Sequence, residues 1–457
     1  MGGNGMVRPW KKYLPGLCGA GGILLLAGTV FACLGLERGT VWDRISVAAA
    51  LLVFAALALL LLRREGCGRD KLLMMLLPVG AAMLVRALFL DHAGSDYNNF
   101  LSGWYQFFRA NGGFRAVSQA VGDYNVPYLY FMAAISYSSV PDLYLIKLFS
   151  IAFDVALAWG CLRLVRVLMG ERQGSRATLA AFAAALLWPT VVLNGACWAQ
   201  CDGIYGALCI LAAAMLMEGK NKTSVALMAA AFSFKLQAIF VLPLWGVLWL
   251  AKKVKFRELL VFPVTYLATI APAILLGKPV GDIFGIYFNQ MGEYSGLVLN
   301  APSVYQFLPY GTEDPGYLAL LGIVAAGALV LAMLVLGFLL RDKLDNRLTM
   351  AVAVVLCIGV PFFLPHMHER YFFLADMFTL CWACANWRRL PAAVLEEATS
   401  LASYILNLRL KINYTVTVGG NTYVMPLETA AMLAALVFSA AFLIKELRNR
   451  RKELKAA

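Results

Sequence analysis

Apolar residues recur in runs of roughly 17–25, each long enough to cross the ~30 Å hydrocarbon core of a bilayer as a helix. These runs extend from Leu14 to Ile444 with almost no soluble-looking stretch between them. The pattern predicts helices near 14–36, 45–62, 72–90, 143–162, 177–194, 197–217, 223–236, 237–251, 258–277, 317–340, 348–364, 371–386, 390–408 and 424–444. Segments 223–236 and 237–251 are short, as two half-helices meeting at a bend would be, and 390–408 carries Glu396 and Glu397. The expected fold is therefore an all-α polytopic membrane protein with about 11–14 crossings, built as a single transmembrane domain over 1–457. Two long external loops, 91–142 and 278–316, interrupt it, and a basic tail, 445–457, follows the last span. Stretch 124–140 reads as an amphipathic or re-entrant part of the first loop. Ile412–Met425, with Gly419-Gly420 between β-branched residues, reads as a small external hairpin.

Composition agrees: 61% of residues are hydrophobic and 14% charged, which excludes a water-soluble chain of this length. The first apolar run follows Arg8, Lys11 and Lys12 like a signal peptide, but it is long and lacks a small-residue cleavage site, so a retained span is expected. The net charge of +13 is explained by topology rather than by nucleic acid. Basic residues cluster at Arg63/Arg64/Arg69/Lys71, Arg163/Arg166/Arg172/Arg176, Lys220/Lys222, Lys252/Lys253/Lys255/Arg257, Arg341/Lys343/Arg347, Arg388/Arg389 and from Lys445 onward. Alternate connections carry these clusters, so the positive-inside rule puts them and both termini in the cytoplasm, against anionic lipid headgroups. The ten cysteines fall mostly within apolar spans and read as small packing residues. Cys381 and Cys384 have redox spacing without a strand–helix context, and Cys197 and Cys201 have poor spacing for a disulfide.

Polar chemistry gathers at the opposite level. All three histidines, His92, His366 and His368, fall at external ends of spans beside Asp91, Asp96 and Glu369. Four segments share that level: Asp91–Tyr97, Gly122–Tyr128, Trp198–Tyr205 and Pro365–Tyr371. Lys235 and Gln237, at the bend between the two half-helices, join them if the bend is external. A lysine inside an apolar segment costs a few kcal/mol unless it is paired or solvated, so it marks either a site or a structural ion pair. Together these groups suit glycosyl transfer from a lipid phosphate. A carboxylate such as Asp96 takes the acceptor's proton, while Lys235, Arg370 and His368 neutralise the phosphate leaving the anomeric carbon, inverting it.

Asp96 in a Ser-Asp-Tyr context, Asp123-Tyr124-x-x-Pro127, Trp198-x-Gln200-x-Asp202, Phe234-Lys235-x-Gln237 and His366-x-His368-Glu369-Arg370-Tyr371 resemble, in this order, the GT-C superfamily of integral membrane glycosyltransferases. The likeness is greatest to bacterial proteins related to the second mannosyltransferase of GPI-anchor synthesis. It is more distant to dolichyl-phosphate-glucose glucosyltransferases. The resemblance implies a polyprenyl-phosphate hexose donor, mannose or glucose, and transfer on the external face of a bacterial plasma membrane. It also implies a lipid-linked or cell-envelope glycan acceptor, no cofactor, and a catalytic base in the first long loop, a role that falls to Asp96. The pattern Asp-Tyr-Pro-Pro is here Asp123-Tyr124-Asn125-Val126-Pro127, and Trp-Gly-Gln is Trp198-Ala199-Gln200.

Asp91, five residues from Asp96, rivals it as the base. Lys235, His366, His368, Arg370 and Gln237 are candidates for the donor phosphate, and Asp123, Tyr124, Trp198, Gln200, Asp202 and Glu369 for sugar or acceptor. Asn289–Tyr294 and Asn300–Pro302 could line the acceptor or prenyl groove. The His366-x-His368-Glu369 pattern lacks the i, i+4 histidine pair of a helical metal site, so metal-independent transfer is expected. Two other functions fit parts of the pattern. One is a transporter or flippase of a lipid-linked glycan or solute, which also uses broken helices. The other is a glycan ligase or polymerase with a pyrophosphate lipid donor.

Overall fold

A computed structural model describes residues 12–170, 174–291, 296–313, 316–407 and 414–456. The basic positions Arg8, Lys11 and Arg172, and Glu293 and Tyr294 of the second loop, lie outside them. The chain is a helical membrane protein. In order, the helices are α1 (Leu14–Leu34), α2 (Val41–Arg64), α3 (Arg69–Leu88), α4 (Ser102–Ala110), α5 (Val126–Ile135), α6 (Asp142–Met169) and α7 (Arg176–Leu187). Then come α8 (Pro189–Val192), α9 (Asp202–Met217), α10 (Asn221–Phe234), α11 (Pro243–Leu250), α12 (Phe256–Leu259) and α13 (Val261–Leu275). The last are α14 (Val280–Met291), α15 (Tyr317–Leu340), α16 (Asn346–Phe363), α17 (Phe373–Ala385), α18 (Leu390–Asn407) and α19 (Pro426–Ala456).

Among the described residues, 8 helical segments are long and apolar enough to cross a membrane, or 9 when α7 and the bent segment after it are one span. That is fewer than the hydropathy pattern gives. The expected spans at 197–217, 223–236, 237–251 and 371–386 are realised as shorter helices, because irregular backbone occupies one end of each. Asp202–Met217 and Phe373–Ala385 start only after segments 198–201 and 364–372. Between α10 and α11 the helix breaks at Lys235, which is extended (φ −152°, ψ 133°). Non-helical backbone at such depth is tolerated where it is buried in protein or lines a cavity, and each of these breaks leads to the same cavity. The 42° bend between α7 and α8 has a local cause: Pro189 has no N–H to donate and forces Trp188 into an extended conformation.

The first long loop holds three short helical pieces and the amphipathic α4, which buries Tyr105 and Phe108 while exposing Ser102-side positions. Helix α5 is largely buried, so stretch 124–140 packs into the protein. Two small sheets complete the fold. Strands β1 (Val298–Leu299) and β2 (Met367–His368) pair in parallel, joining the second long loop to the segment after α16. Strands β3 (Thr415–Val418) and β4 (Asn421–Val424) form the expected hairpin, its two-residue turn made by Gly419 and Gly420, both at positive φ.

The basic connections meet at one end of the bundle. There Arg166 pairs with Glu65, Arg163 and Lys220 with Glu218 (both 2.7 Å), and Lys71 donates to the Gly174 carbonyl. In the interior, Arg86 of α3 and Asp154 of α6 form a fully buried pair at 2.9 Å, and Arg86 also donates to the Ala82 and Leu186 carbonyls. Carboxyls of α17 and α18 are also buried: Ser400 donates to Asp376, and Thr190 donates to Glu397 through both its N–H and its hydroxyl. At the other end Lys147 donates to the carbonyls of Phe89, Leu90 and His92, closing the C-terminus of α3.

A charge buried without its partner costs far more than the pair contributes, because desolvation is no longer offset. Arg86→Leu is therefore expected to destabilise the chain by about 3–5 kcal/mol, and the double variant Arg86→Leu/Asp154→Leu to recover most of that. Thermal midpoints in detergent, read for both variants, check the asymmetry.

Candidate active site

The site is built on the segment between α8 and α9. Residues Leu193–Cys197 form a wide helical turn, after which the chain leaves the helix at Trp198 and re-enters it at Asp202. Asn194 fastens this excursion. Its Nδ2 donates to Asp202 Oδ2 (2.7 Å), its Oδ1 accepts from the Asp202 N–H (3.2 Å), and its carbonyl accepts from the Gln200 N–H (2.9 Å). Ser150 of α6 adds a bond to the Gln200 carbonyl at 2.7 Å. The turn places Ala199 at φ +61°, in the left-handed region where a Cβ is unfavourable.

Asp202, wholly buried in the first turn of α9, bonds Lys235 Nζ through Oδ1. The guanidinium of Arg370 approaches its other oxygen, Nε to Oδ2 at 3.8 Å. The Lys235 ammonium also lies 5.4 Å from the ring centre of Tyr124 and 5.8 Å from that of Tyr205. Arg370 lies over the indole of Trp198 (5.8 Å), reaches Asp96 Oδ2 at 3.5 Å and Glu369 Oε1 at 3.4 Å. Both cations are thus fixed by carboxylates and ring faces, deep in low-dielectric surroundings.

These groups border a cavity of about 350 Å³. Asp96 stands on one wall, its carboxylate accepting from Gln200 Nε2 and facing Arg370. Gln200 Oε1 in turn accepts from the Tyr124 hydroxyl at 3.2 Å. Lys235, Gln237, His368, Glu369 and Arg370 line the remainder, with Asp123 and Tyr124. Gln237 is buried, and its amide oxygen has no hydrogen-bond partner among the described residues. The β1–β2 pairing closes one side through the bonds His366 N–H to Leu297 (2.8 Å) and Glu369 N–H to Leu299 (3.1 Å). Burial alone would raise the Glu369 carboxyl, but His368 and Arg370 outweigh it and hold Glu369 below its usual value. Asp123 is pushed above its usual range by burial.

Of the residues singled out by sequence, Asp96, Asp123, Tyr124, Gln200, Lys235, Gln237, His368, Glu369 and Arg370 come together around this cavity. Asp202 and Trp198 lie behind them, as the anion and the ring that position Lys235 and Arg370. Asp91 is set apart: its carboxylate accepts from the Glu37 N–H and from the Tyr144 hydroxyl, tying the α1–α2 connection to α6. His366 also stays outside, its Nδ1 2.7 Å from the Gly296 carbonyl at φ +62°. His92 is held below its usual value by burial and then by the nearby Lys147 ammonium. Asn300, named in the sequence as a possible groove residue, lines this cavity, and Phe100, Trp104, Asn125 and Tyr287 are lining residues that motif reading does not assign. Asn125 donates to the hydroxyls of Tyr266 (3.2 Å) and Tyr287 (2.9 Å). Among the described residues no three His, Cys, Asp or Glu side chains gather as a metal-holding group, and the cysteines, Cys197, Cys201, Cys381 and Cys384 included, are free thiols.

A second cavity, about 660 Å³, adjoins the first, and Asp123, Tyr124 and Asn125 line both. Its far wall includes Ile283, Ile286 and Phe288 of α14, with Lys278, whose Nζ donates to the Gln119 carbonyl at 2.9 Å. Compared with known proteins, the chain matches no family model and no curated sequence.

Two expectations follow from this geometry. Ala199→Gly relieves the left-handed strain and should stabilise the chain by about 1 kcal/mol, read as a raised thermal midpoint. Glu369 has a lowered folded-state pKa, so its contribution is present above the ordinary glutamate value of 4.5 and is lost as pH falls through the lower folded value. The midpoint of the parent chain should therefore drop as pH falls from 4.5 towards the lower folded value, and Glu369→Gln should show a smaller drop.

Proposed function

We propose that the chain is an inverting glycosyltransferase of GT-C type, moving a hexose from a polyprenyl-phosphate donor to a lipid-linked or cell-envelope glycan. The observation that carries this reading is that Asp96, Lys235 and Arg370 line one cavity at a single end of the membrane bundle, with Arg370 Nη1 3.5 Å from Asp96 Oδ2. Transfer with inversion needs a base on one side of the anomeric carbon and cations for the departing phosphate on the other, so a bound donor draws Arg370 away from Asp96. Asp96 takes the proton of the acceptor hydroxyl as that oxygen bonds to the anomeric carbon. The bond from that carbon to the phosphate oxygen breaks, both electrons stay on the phosphate oxygen, and the departing lipid phosphate is held by Arg370, Lys235 and His368. Gln237, with its unpartnered oxygen, and Gln200 are suited to hydroxyls of the sugar. The donor occupies the 350 Å³ cavity and the acceptor approaches through the 660 Å³ one, so that they meet at Asp123 and Tyr124. Two cations already matched by Asp96, Asp202 and Glu369 suit a single phosphate better than the pyrophosphate of a ligase donor. With the positive-inside rule, the basic end faces the cytoplasm and the cavity faces outward.

A panel of synthetic polyprenyl-phosphate hexoses, presented to the purified chain in nanodiscs with glycan acceptors, tests the proposal. Transfer or donor hydrolysis is expected, and Asp96→Asn should reduce it by about 10²–10⁴-fold. If both proteins are inert while each binds a lipid-linked glycan or a solute, the transport function replaces this one.

A further inference from the structure

The basic end has a cavity of its own, of about 750 Å³, between the C-terminal ends of α6 and α9, the residues after α11 and the starts of α10 and α16. Its walls are amphipathic. Val167, Leu216 and Leu248 supply apolar surface, and the exposed Lys253 and Arg347 supply positive charge. The walls are held in place by amide bonds: Asn221 Nδ2 donates to the Lys253 carbonyl (3.0 Å) and Asn346 Nδ2 to the Met217 carbonyl (3.2 Å).

Both α10 and α16 begin here without an acidic residue in the first turn, and Lys222 and Arg347 stand in those turns. A helix N-terminus favours an anion, so Lys222 is unfavourable at the start of α10, whereas at the start of α16 the cap carboxylate of Asp345 precedes Arg347. The lining carboxylate, Asp345, already accepts from the Leu348 N–H at 2.9 Å as the cap of α16. Other carboxylates of this end have partners as well: Glu65 holds Arg166, Glu218 holds Arg163 and Lys220, and Glu258 accepts from Asn221 and from the Lys255 N–H. Arg389 is held below its usual range by burial, and Arg347 repels it further, against the pull of Glu446.

We propose that this cavity binds the headgroup of an anionic membrane phospholipid, its phosphate between Lys253 and Arg347 and its glycerol and first methylenes against Val167, Leu216 and Leu248. The membrane is the source closest to hand, since the cavity opens where the bundle leaves the apolar core and where surface cations meet lipid phosphates. The inference is independent of catalysis at the opposite end.

Native mass spectrometry of the full chain extracted from phosphatidylcholine bilayers containing phosphatidylglycerol tests it. The parent chain should retain one phosphatidylglycerol in preference to phosphatidylcholine. Lys253→Glu/Arg347→Glu, or the milder Lys253→Gln/Arg347→Gln should the first pair misfold, should lower that retention about tenfold or more. Arg63→Glu/Arg64→Glu, a reversal of equal size on exposed residues of the same end, should leave it unchanged. Equal losses from the two reversals, or no preference between the lipids, would reduce the effect to general surface attraction and overturn the proposal. A rise in thermal midpoint with inorganic phosphate, equal to that with phosphatidylglycerol, would overturn the lipid source in favour of a soluble anion.

Discussion

The buried pair of Asp202 and Lys235 is the interaction on which the cavity-bearing end of the protein rests. Each partner sits where its helix wants its charge: Asp202 in the first turn of α9, at the positive end of that helix, and Lys235 just past the last turn of α10, at the negative end. The pair thereby joins two helices, of 16 and 14 residues, that are each shorter than a full crossing. Asn194 and Arg370 share the same carboxylate, so the excursion at 198–201, the break at 235 and the segment after α16 all converge on one anion. Removing that anion would leave Lys235 in a low-dielectric interior with no carboxylate partner among the described residues, and Arg370 with Asp96 and Glu369 alone.

Shared anions also explain how cations can be held ready without being locked away. Arg370 lies at 3.4–3.8 Å from three carboxylates, a looser arrangement than one bidentate pair, so the phosphate of the proposed donor would compete with several moderate contacts. The rings of Trp198, Tyr124 and Tyr205 lie against both cations and keep them oriented. Under the proposed function this is charge preorganised for the departing phosphate.

Much of this was legible in sequence because membrane proteins restrict where polar groups sit. A lysine in an apolar run had to mark a break or a partner, and Lys235 marks both. The shared level of residues 96, 123, 200 and 368 followed from placing the basic clusters on one side, and that of Lys235 was conditional on the side of its bend. What stayed hidden depends on backbone geometry. Asp91 and Asp96 stand five residues apart in one polar loop, and only the turn between them sends one to Tyr144 and the other to Arg370. The wide turn at Leu193–Cys197 and the β1–β2 pairing have no periodic signature, so Asn194 and the helical shortening around it could not be read from spacing. The buried carboxyls of α18 interrupted hydropathy there, yet Thr190 bonds Glu397, and Ser400 of α18 bonds Asp376 of α17.

Residues 123–125 line both cavities. Whatever occupies one and shifts Asp123, Tyr124 or Asn125 alters the walls of the other. Thermodynamic linkage makes that influence reciprocal: if a ligand in the first changes affinity in the second by some factor, a ligand in the second changes affinity in the first by the same factor. To the extent that this factor departs from one, an apparent affinity measured for either compartment is a property of both.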